Sequence, residues 1–224
     1  MTPMETEGVV KYSAHHTPGD VETHLRQCPP AIRDAALSAL ARFPELDAAR
    51  TALHDAGLIG VSASGIGYGN ISLRLAGDLF LISGSGTGAH RSLGMPGYSL
   101  VCAFDPPANT VCSCGPVQAS SESMTHGAIY RAADTVRCVI HVHSRPLFAA
   151  LLAQDWPHTP KSAAYGTPAL SLEAVRLVLA SAEGVFVTAG HEEGLVAYGS
   201  TIASTLDAVL SLQHGTRNGT WLSK

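Results

Sequence analysis

Two histidines separated by one residue give this sequence its clearest chemical signal. They lie in the segment Val139 to His143, whose valines and isoleucine predict a β-strand. Side chains of a strand alternate between its two faces, so His141 and His143 would project from the same face about 7 Å apart. Two imidazoles at that spacing can bind one metal ion, although a strand with a polar face would show the same pattern.

His191 is the candidate for a third metal ligand. It follows the apolar run Gly184 to Thr188 and precedes a second apolar run, so it would lie at the end of a strand. Three imidazoles leave a coordination position open for a substrate, whereas structural zinc sites have four protein ligands. The spacing of His141, His143 and His191 therefore indicates a catalytic metal site.

A helix start lies between these elements, at Ser120, Ser121 and Glu122. Serines are favoured N-caps, and their hydroxyls together with the free amides of a first helical turn can bind an anion. Glu122, expected in that first turn, could move protons beside the metal, or it could simply stabilise the helix through its dipole. His126 lies one turn further on, and we expect a hydrogen-bonded core histidine there rather than a fourth ligand.

Two glycine-rich loops could bind an anion as well. Residues Gly65 to Asn70 precede a predicted strand, and residues Ser83 to Gly88 follow one. Glycines allow backbone amides to approach phosphate or carboxylate closely, although such turns also occur without a ligand. Neither loop is a Walker motif, because the GK[ST] ending is missing, and the first leads into a strand rather than the helix of a Rossmann fingerprint.

The elements that must position these residues follow from apolar periodicity and from glycine and proline positions. Pro44 separates two helical pieces, the second of which runs from Glu45 to Ala56 and ends at Gly57. Strands are predicted at 71–75, 79–83, 99–104, 109–114, 136–143, 184–188 and 195–198, and further helices at 121–133, 146–153, 170–182 and 200–213. Strands joined by short turns, with helices between groups of strands, predict an α/β domain with a mixed or largely antiparallel sheet.

Composition restricts the class of protein. The 224 residues are 46% hydrophobic, and we interpret residues 1–30 as an arm and 31–224 as a single domain. A net charge of -4 with 14% charged residues indicates small-molecule partners rather than nucleic acid, and we expect no membrane segment. The five cysteines include no CxxC pair, which predicts a reducing cytoplasm; Cys112 and Cys114 could bind a soft metal, but buried thiols are the simpler interpretation.

In this order, these residues resemble the class II aldolase/adducin family over roughly Glu45 to Leu212. The family's GN-x-S-x-R segment is matched by residues 69–74, its T-P-[ST]-G turn by residues 83–86, and its S-S-E helix start by residues 120–122. An H-x-H strand at His141 and His143 follows, and then His191 before the glycine-leucine strand at 194–199. Five elements in order make the resemblance specific.

The resemblance implies a fold, a cofactor and an assembly. The fold would have three layers, with a central, largely antiparallel sheet flanked by helices, and the protein would be a homo-oligomer, commonly a tetramer in this family. His141, His143 and His191 would bind Zn²⁺, or Mn²⁺, Fe²⁺ or Co²⁺, with Glu122 as the acid/base. The anionic end of the substrate would be held by Asn70, Ser85, Gly86, Ser120 and Ser121.

The implied function is that of a divalent-metal-dependent lyase, in which an aldolase-like enzyme cleaves a small sugar phosphate or hydroxy-carbonyl acid through a metal-stabilised enediolate. A dehydratase, decarboxylase, epimerase or metal oxygenase could use the same site, and a non-enzymatic adducin-like interaction domain is a further alternative.

Two departures from the family pattern affect the site. Alignment without a gap would place Glu193 in the slot that we assign to His191. The catalytic tyrosines that some aldolases have in a C-terminal extension lack a clear counterpart. Tyr165 is a candidate catalytic residue from a loop, or a packed aromatic.

Overall fold

A computed structural model describes residues 12–218 of the chain. Its strands are β1 Ser13–Pro18, β2 Gly60–Val61, β3 Gly67–Tyr68, β4 Asn70–Ala76, β5 Leu79–Ser83, β6 Tyr98–Asp105, β7 Thr110–Gly115, β8 Cys138–His143, β9 Gly184–Val187 and β10 Gly194–Gly199. Its helices are α1 Val21–Arg26, α2 Pro30–Leu40, α3 Phe43–Asp55, α4 Ser123–Ala132, α5 Arg145–Ala153, α6 Pro168–Val178 and α7 Ile202–Asn218.

Eight strands form one mixed sheet in the order β1-β7-β6-β5-β4-β8-β10-β9. All neighbouring strands are antiparallel except β1 and β7, which are parallel. The predicted α/β fold with a largely antiparallel sheet is therefore confirmed. Each strand and helix predicted from periodicity is present, with ends that differ by up to five residues.

Helices cover both faces of this sheet, which makes a three-layer domain. Helices α1, α2, α3, α5 and α7 contribute to one buried apolar cluster, and α4 and α6 contribute to the other. Alternation along β8 assigns its residues to these layers: Cys138, Ile140 and Val142 join the first cluster, whereas Val139 joins the second. His141 and His143 consequently lie on the α4 side of the sheet.

Helix α3 ends as the sequence predicts. Gly57 has a φ of 74°, which glycine adopts without a steric penalty, and its amide donates to the carbonyl of His54. The amide of Leu58 donates to the carbonyl of Leu53, which completes a Schellman motif. The chain then turns into the loops that surround the site.

The N-terminal segment is more regular than the expected arm. Residues 1–11 lie outside the described part of the chain, but Ser13–Pro18 forms strand β1 at the sheet edge and Val21–Arg26 forms α1. Apolar alternation does not predict β1, because an edge strand that is largely exposed needs no buried face. The boundary at residue 30 stays a prediction.

Of the helices in the described part of the chain, none combines the length and the apolar character needed to cross a bilayer.

Candidate active site

The two histidines of β8 converge as the strand pattern predicts. Their side chains are buried, and the two Nε2 atoms lie 3.0 Å apart. Strand β8 lies between β4 and β10, where Asn70 pairs with His141 and Gly194 pairs with His143. Because antiparallel neighbours place the start of one strand beside the end of the next, residues from three strands meet at one end of the sheet.

His191 reaches the same point from the turn between β9 and β10. Its amide donates to the carbonyl of Thr188 at 2.8 Å, and its carbonyl accepts from the amide of Gly194 at 3.0 Å. Its ring centroid lies 5.0 Å from that of His141 and 4.7 Å from that of His143. The turn therefore holds the third imidazole against the pair on β8.

The turn also separates His191 from the alternative ligand Glu193. The backbone of Glu193 is left-handed, with a φ of 65°, and its carboxylate pairs with Arg145 at 2.7 Å on the more exposed side of the turn. One ligand nitrogen from each of His141, His143 and His191 lies within 4.8 Å of the other two. The structure thus brings together the three histidines, and not Glu193.

Burial keeps the imidazoles of His141 and His143 neutral, which is the form that binds metals. It lowers the pKa of His143 to about 4, while the charge of Glu193 has a smaller opposing effect. Burial also lowers the pKa of His141 well below its usual range, and the neighbouring histidines add to that effect. The Nδ1 atom of His141 lies 3.1 Å from the carbonyl oxygen of Leu195; because a carbonyl only accepts, Nδ1 carries the proton and the lone pair of Nε2 faces His143.

This donor set fits a divalent metal ion. Tetrahedral zinc with Zn–N bonds of about 2.0 Å places its nitrogen ligands about 3.3 Å apart. The 3.0 Å separation between the Nε2 atoms of His141 and His143 is close to that value. The backbone carbonyl on the Nδ1 of His141 is the kind of outer partner that orients metal-binding histidines. The buried triad can therefore hold such an ion.

Glu122 lies beside this triad. Its side chain is 4% exposed, and its Oε1 lies 3.5 Å from the Nδ1 of His191. The expected positions were wrong by a residue or more: Glu122 is the N-cap residue of α4, just before the first turn rather than inside it, and no serine side chain caps the helix. The hydroxyl of Ser120 instead accepts from the amide of Glu122 at 3.3 Å, and the hydroxyl of Ser123 donates to the carbonyl of Ser120 at 2.6 Å. The serines thus shape the turn that presents the carboxylate.

Tyr165 enters the site from the loop between α5 and α6. Its hydroxyl donates to the hydroxyl of Ser121, and its ring centroid lies 4.5 Å from that of His191. The loop residue proposed from the sequence is therefore adjacent to the triad, although it is also a well-packed aromatic.

His126 lies outside the cluster, as expected. Its Nδ1 is 2.7 Å from the hydroxyl of Ser72, and that hydroxyl also contacts the hydroxyl of Tyr130 at 2.7 Å. Complete burial lowers the pKa of His126 to about 3, so this imidazole is neutral. It belongs to a polar network beneath the site.

One pocket of about 390 Å³ joins these parts. All ten residues predicted to form the site line it: Asn70, Ser85, Gly86, Ser120, Ser121, Glu122, His141, His143, Tyr165 and His191. Glycines 65, 67 and 69 and Tyr68 also line the pocket, so both glycine-rich loops contribute to it. Among the described residues that line it, none is lysine or arginine, so the donors available to an anion are hydroxyls, amides and imidazoles.

Two residues that hold the backbone of the pocket segments were not identified from the sequence. Arg50 is 1% exposed on α3, and it donates to the carbonyls of Thr87, His90 and Arg91 in the loop that carries Ser85. The sequence signal for Arg50 was its position on the apolar face of α3, where a buried arginine must find hydrogen-bond acceptors. Tyr12 donates to the carbonyls of Ala119 and Ser120, and nothing in its local sequence indicates this contact.

The fold and the pocket together define an α/β domain built around three buried histidines. A family model described as "Class II Aldolase and Adducin N-terminal domain" matches residues 62–217, and the chain belongs to this family. The resemblance deduced from the motifs is thereby confirmed. No curated protein matches the sequence.

Solved structures show the same fold at low sequence identity. YgbL from Klebsiella pneumoniae, a proposed aldolase/epimerase/decarboxylase, has a TM-score of 0.59 and 17% identity, with 89% of this chain and 90% of that one covered. L-fuculose-1-phosphate aldolase from Thermus thermophilus has a TM-score of 0.56 and 19% identity, with 80% and 96% covered. A sugar-phosphate aldolase from Thermotoga maritima has a TM-score of 0.59 and 17% identity, with 78% and 91% covered.

Proposed function

We propose that the protein is a divalent-metal-dependent lyase that cleaves a small sugar phosphate or hydroxy-carbonyl acid. The observation that carries this proposal is the convergence of His141, His143 and His191 beside Glu122 in a single pocket. Membership in the class II aldolase family supports it, as does the similarity in fold to sugar-phosphate aldolases.

The three histidines are the proposed ligands of Zn²⁺, or of Mn²⁺, Fe²⁺ or Co²⁺. When bound, such an ion supplies Lewis-acid stabilisation of the negative charge that develops on a substrate carbonyl or hydroxyl oxygen. The histidines contribute neutral donors fixed by a central strand and a hydrogen-bonded turn, so little reorganisation is needed to receive the ion.

Glu122 and Tyr165 are the proposed catalytic residues. Glu122 is buried next to His191, where its carboxyl group can take a proton from a substrate hydroxyl and return it to carbon. The hydroxyl of Tyr165, held by Ser121, can assist this transfer by donating a hydrogen bond to an oxygen of the substrate, and it keeps its own proton.

Substrate selection rests on uncharged anion donors and on size. We assign Asn70, Ser85, Gly86, Ser120 and Ser121 to the phosphate or carboxylate of the substrate. The Oδ1 of Asn70 is buried and accepts no hydrogen bond from the described residues, so it is available to a substrate hydroxyl. A volume of about 390 Å³ is near the lower end for ligand pockets, which favours a short-chain substrate.

We also propose a homotetramer located in the cytoplasm. Leu172 and Leu179, on and just after α6, are 68% and 69% exposed, and an interface between subunits would cover them. All five cysteines are free, which suits a reducing compartment. Light scattering of the purified protein tests the tetramer.

The first experiment measures metal content by elemental mass spectrometry in protein purified without an affinity tag. We expect His141→Ala to lose the ion of the histidine site, and His90→Ala, at an exposed histidine, to keep it. Glu122→Gln should retain the metal while kcat falls by roughly 10²- to 10⁴-fold, because only proton transfer is removed. Substrates are L-fuculose 1-phosphate, related sugar phosphates and hydroxy-carbonyl acids, with products identified by mass.

Release of an aldehyde supports the lyase. Loss of water, loss of carbon dioxide or inversion at one carbon would instead make the same site a dehydratase, a decarboxylase or an epimerase. Protein that binds no metal and takes none up would refute the proposal and favour an adducin-like interaction domain.

A further inference from the structure

A second group of metal-ligand side chains lies away from the active site, between α1 and the strands β6 and β7. His24, Cys102 and Cys114 each offer one ligand atom, and these three atoms lie within 4.8 Å of one another. The Nε2 of His24 is 3.4 Å from the Sγ of Cys102, and the Sγ of Cys102 is 3.9 Å from that of Cys114. None of the three lines the pocket of the three histidines.

The two cysteines of this group lie on the β6–β7 hairpin, beside an irregularity in the sheet. The pairing of β6 with β7 shifts between Val101 and Ala103, so Cys102 lies at a bulge. Leu100 pairs with Cys114, and both belong to the apolar cluster on the side of α1, against which Cys102 also packs. Strand alternation places Cys102 on the same side of the hairpin as Leu100 and Cys114, and the bulge leaves Cys102 without a directly paired residue on β7.

Helix α1 supplies the third side chain. Val21 and Leu25 are buried in the same apolar cluster, and this anchors the short helix and directs His24 toward Cys102. Cys28 follows one turn later, with its thiol 4.0 Å from the carbonyl of His24.

The separations match those around a tetrahedral zinc ion. Zn–S bonds of about 2.3 Å and Zn–N bonds of about 2.0 Å place two sulfur ligands about 3.8 Å apart and a sulfur and a nitrogen about 3.5 Å apart. The observed values are 3.9 Å and 3.4 Å. At 3.9 Å the two sulfurs are not joined in a disulfide.

We infer that His24, Cys102 and Cys114 form a second metal site, for a thiophilic cation such as Zn²⁺. Thiolate ligands select soft ions, whereas the three-histidine site offers only nitrogen donors. The two sites therefore differ in chemistry as well as in position.

The second site would fasten the N-terminal segment to the sheet. Helix α1 is only six residues long, and a metal ion would join it to β6 and β7. Strand β1 precedes α1 directly, and Tyr12 before it donates to the carbonyl of Ser120, next to the anion-binding turn. The metal would thus stabilise a segment that supports the active site from outside.

Cobalt distinguishes the two sites, because thiolate ligands give Co²⁺ an intense near-ultraviolet charge-transfer band that imidazoles do not. Reduced, metal-free protein is titrated with Co²⁺ and bound metal is counted. The wild type should bind two equivalents and show the band, and His141→Ala should keep the band. The double variant Cys102→Ser, Cys114→Ser should lose the band and one equivalent, whereas Cys112→Ser, on the same strand, should match the wild type.

His24→Ala provides a second variant on a partly exposed helix, in case the double variant does not fold. It should weaken Co²⁺ binding in the charge-transfer titration by at least about tenfold, since loss of an outer partner alone costs about that much. Hydrogen exchange in residues 12–28 should slow when Zn²⁺ is added to the wild type and not to the double variant.

Absence of the band in reduced wild type would overturn the inference, as would a band that survives in the double variant. Native protein in which Cys102 and Cys114 resist alkylation until reduced, and which holds no second metal, would show a disulfide instead. Each of these results leaves the histidine site untouched, because that site is measured by the equivalent lost in His141→Ala.

Discussion

Replacement of Arg50 by methionine tests whether a buried charge on α3 holds the loop that carries Ser85, which we propose binds the anion of the substrate. The guanidinium donates to the carbonyls of His90 at 2.7 Å, Thr87 at 2.9 Å and Arg91 at 3.2 Å. Methionine fills similar volume but makes none of these bonds, and it leaves carbonyls buried without their donors. The two shorter bonds, at about 1.5 kcal/mol each for a charged donor, give an expected loss of roughly 3 kcal/mol.

Urea unfolding of Arg50→Met and of Arg42→Met measures this difference. Arg42 precedes the same helix, but its pair with Glu45 is exposed, so its removal should cost less than about 1 kcal/mol. Hydrogen exchange should accelerate in residues 84–91 of the Arg50 variant. The Arg50 variant should also bind inorganic phosphate more weakly, as measured by calorimetry, because the loop that loses its support carries Ser85.

Equal stability of the two variants would refute the reasoning, and so would a destabilised Arg50→Met with unchanged exchange in the loop. The first result would mean that water replaces the guanidinium at little cost. The second would mean that other contacts fix the loop.

Two further changes test the site and its surroundings. In Gly194→Ala, the new methyl group would collide with the hydroxyl of Thr188 and lie 3.1 Å from the ring of His141. Metal content should fall well below one equivalent at the histidine site, whereas Gly19→Ala, whose methyl group meets nothing within 4 Å, should keep it. Burial lowers the pKa of His126 from 6.5 to about 3, so the unfolded chain binds a proton there before the folded protein does. The free energy of unfolding should therefore fall as the pH drops from about 6.5 toward 3, by roughly 1 kcal/mol per pH unit from this residue, with a shallower slope in His126→Gln but not in a variant of exposed His90.

Most of the sheet and the central triad could be predicted because their signals are local. Glycines and prolines mark the ends of apolar runs, and the two-residue period of β8 fixes the common face of His141 and His143. The position of Glu193 away from the triad could not be predicted from the sequence. It depends on the left-handed backbone of Glu193 itself, which directs the carboxylate toward Arg145 and leaves His191 beside the other two histidines.

The remaining features depend on contacts between distant segments. Strand β1 is polar and exposed at the sheet edge, so no periodic pattern marks it. The proposed second metal site combines α1 with β6 and β7 near Cys102, and the contact with His24, 78 residues away in the sequence, cannot be predicted from local pattern. The partners of Arg50 are likewise backbone carbonyls, which carry no sequence signal.

The pairing of β8 with β4 and β10 separates what can vary in this protein from what cannot. A single inserted residue in β8 would move His141 and His143 to the opposite face of the sheet, so no gradual path changes their position. Ser85 and Tyr165 lie on loops, where length and sequence can change without disturbing the strands. Selection for a new substrate can therefore act on the loops one residue at a time, while the positions of the three histidines stay unchanged.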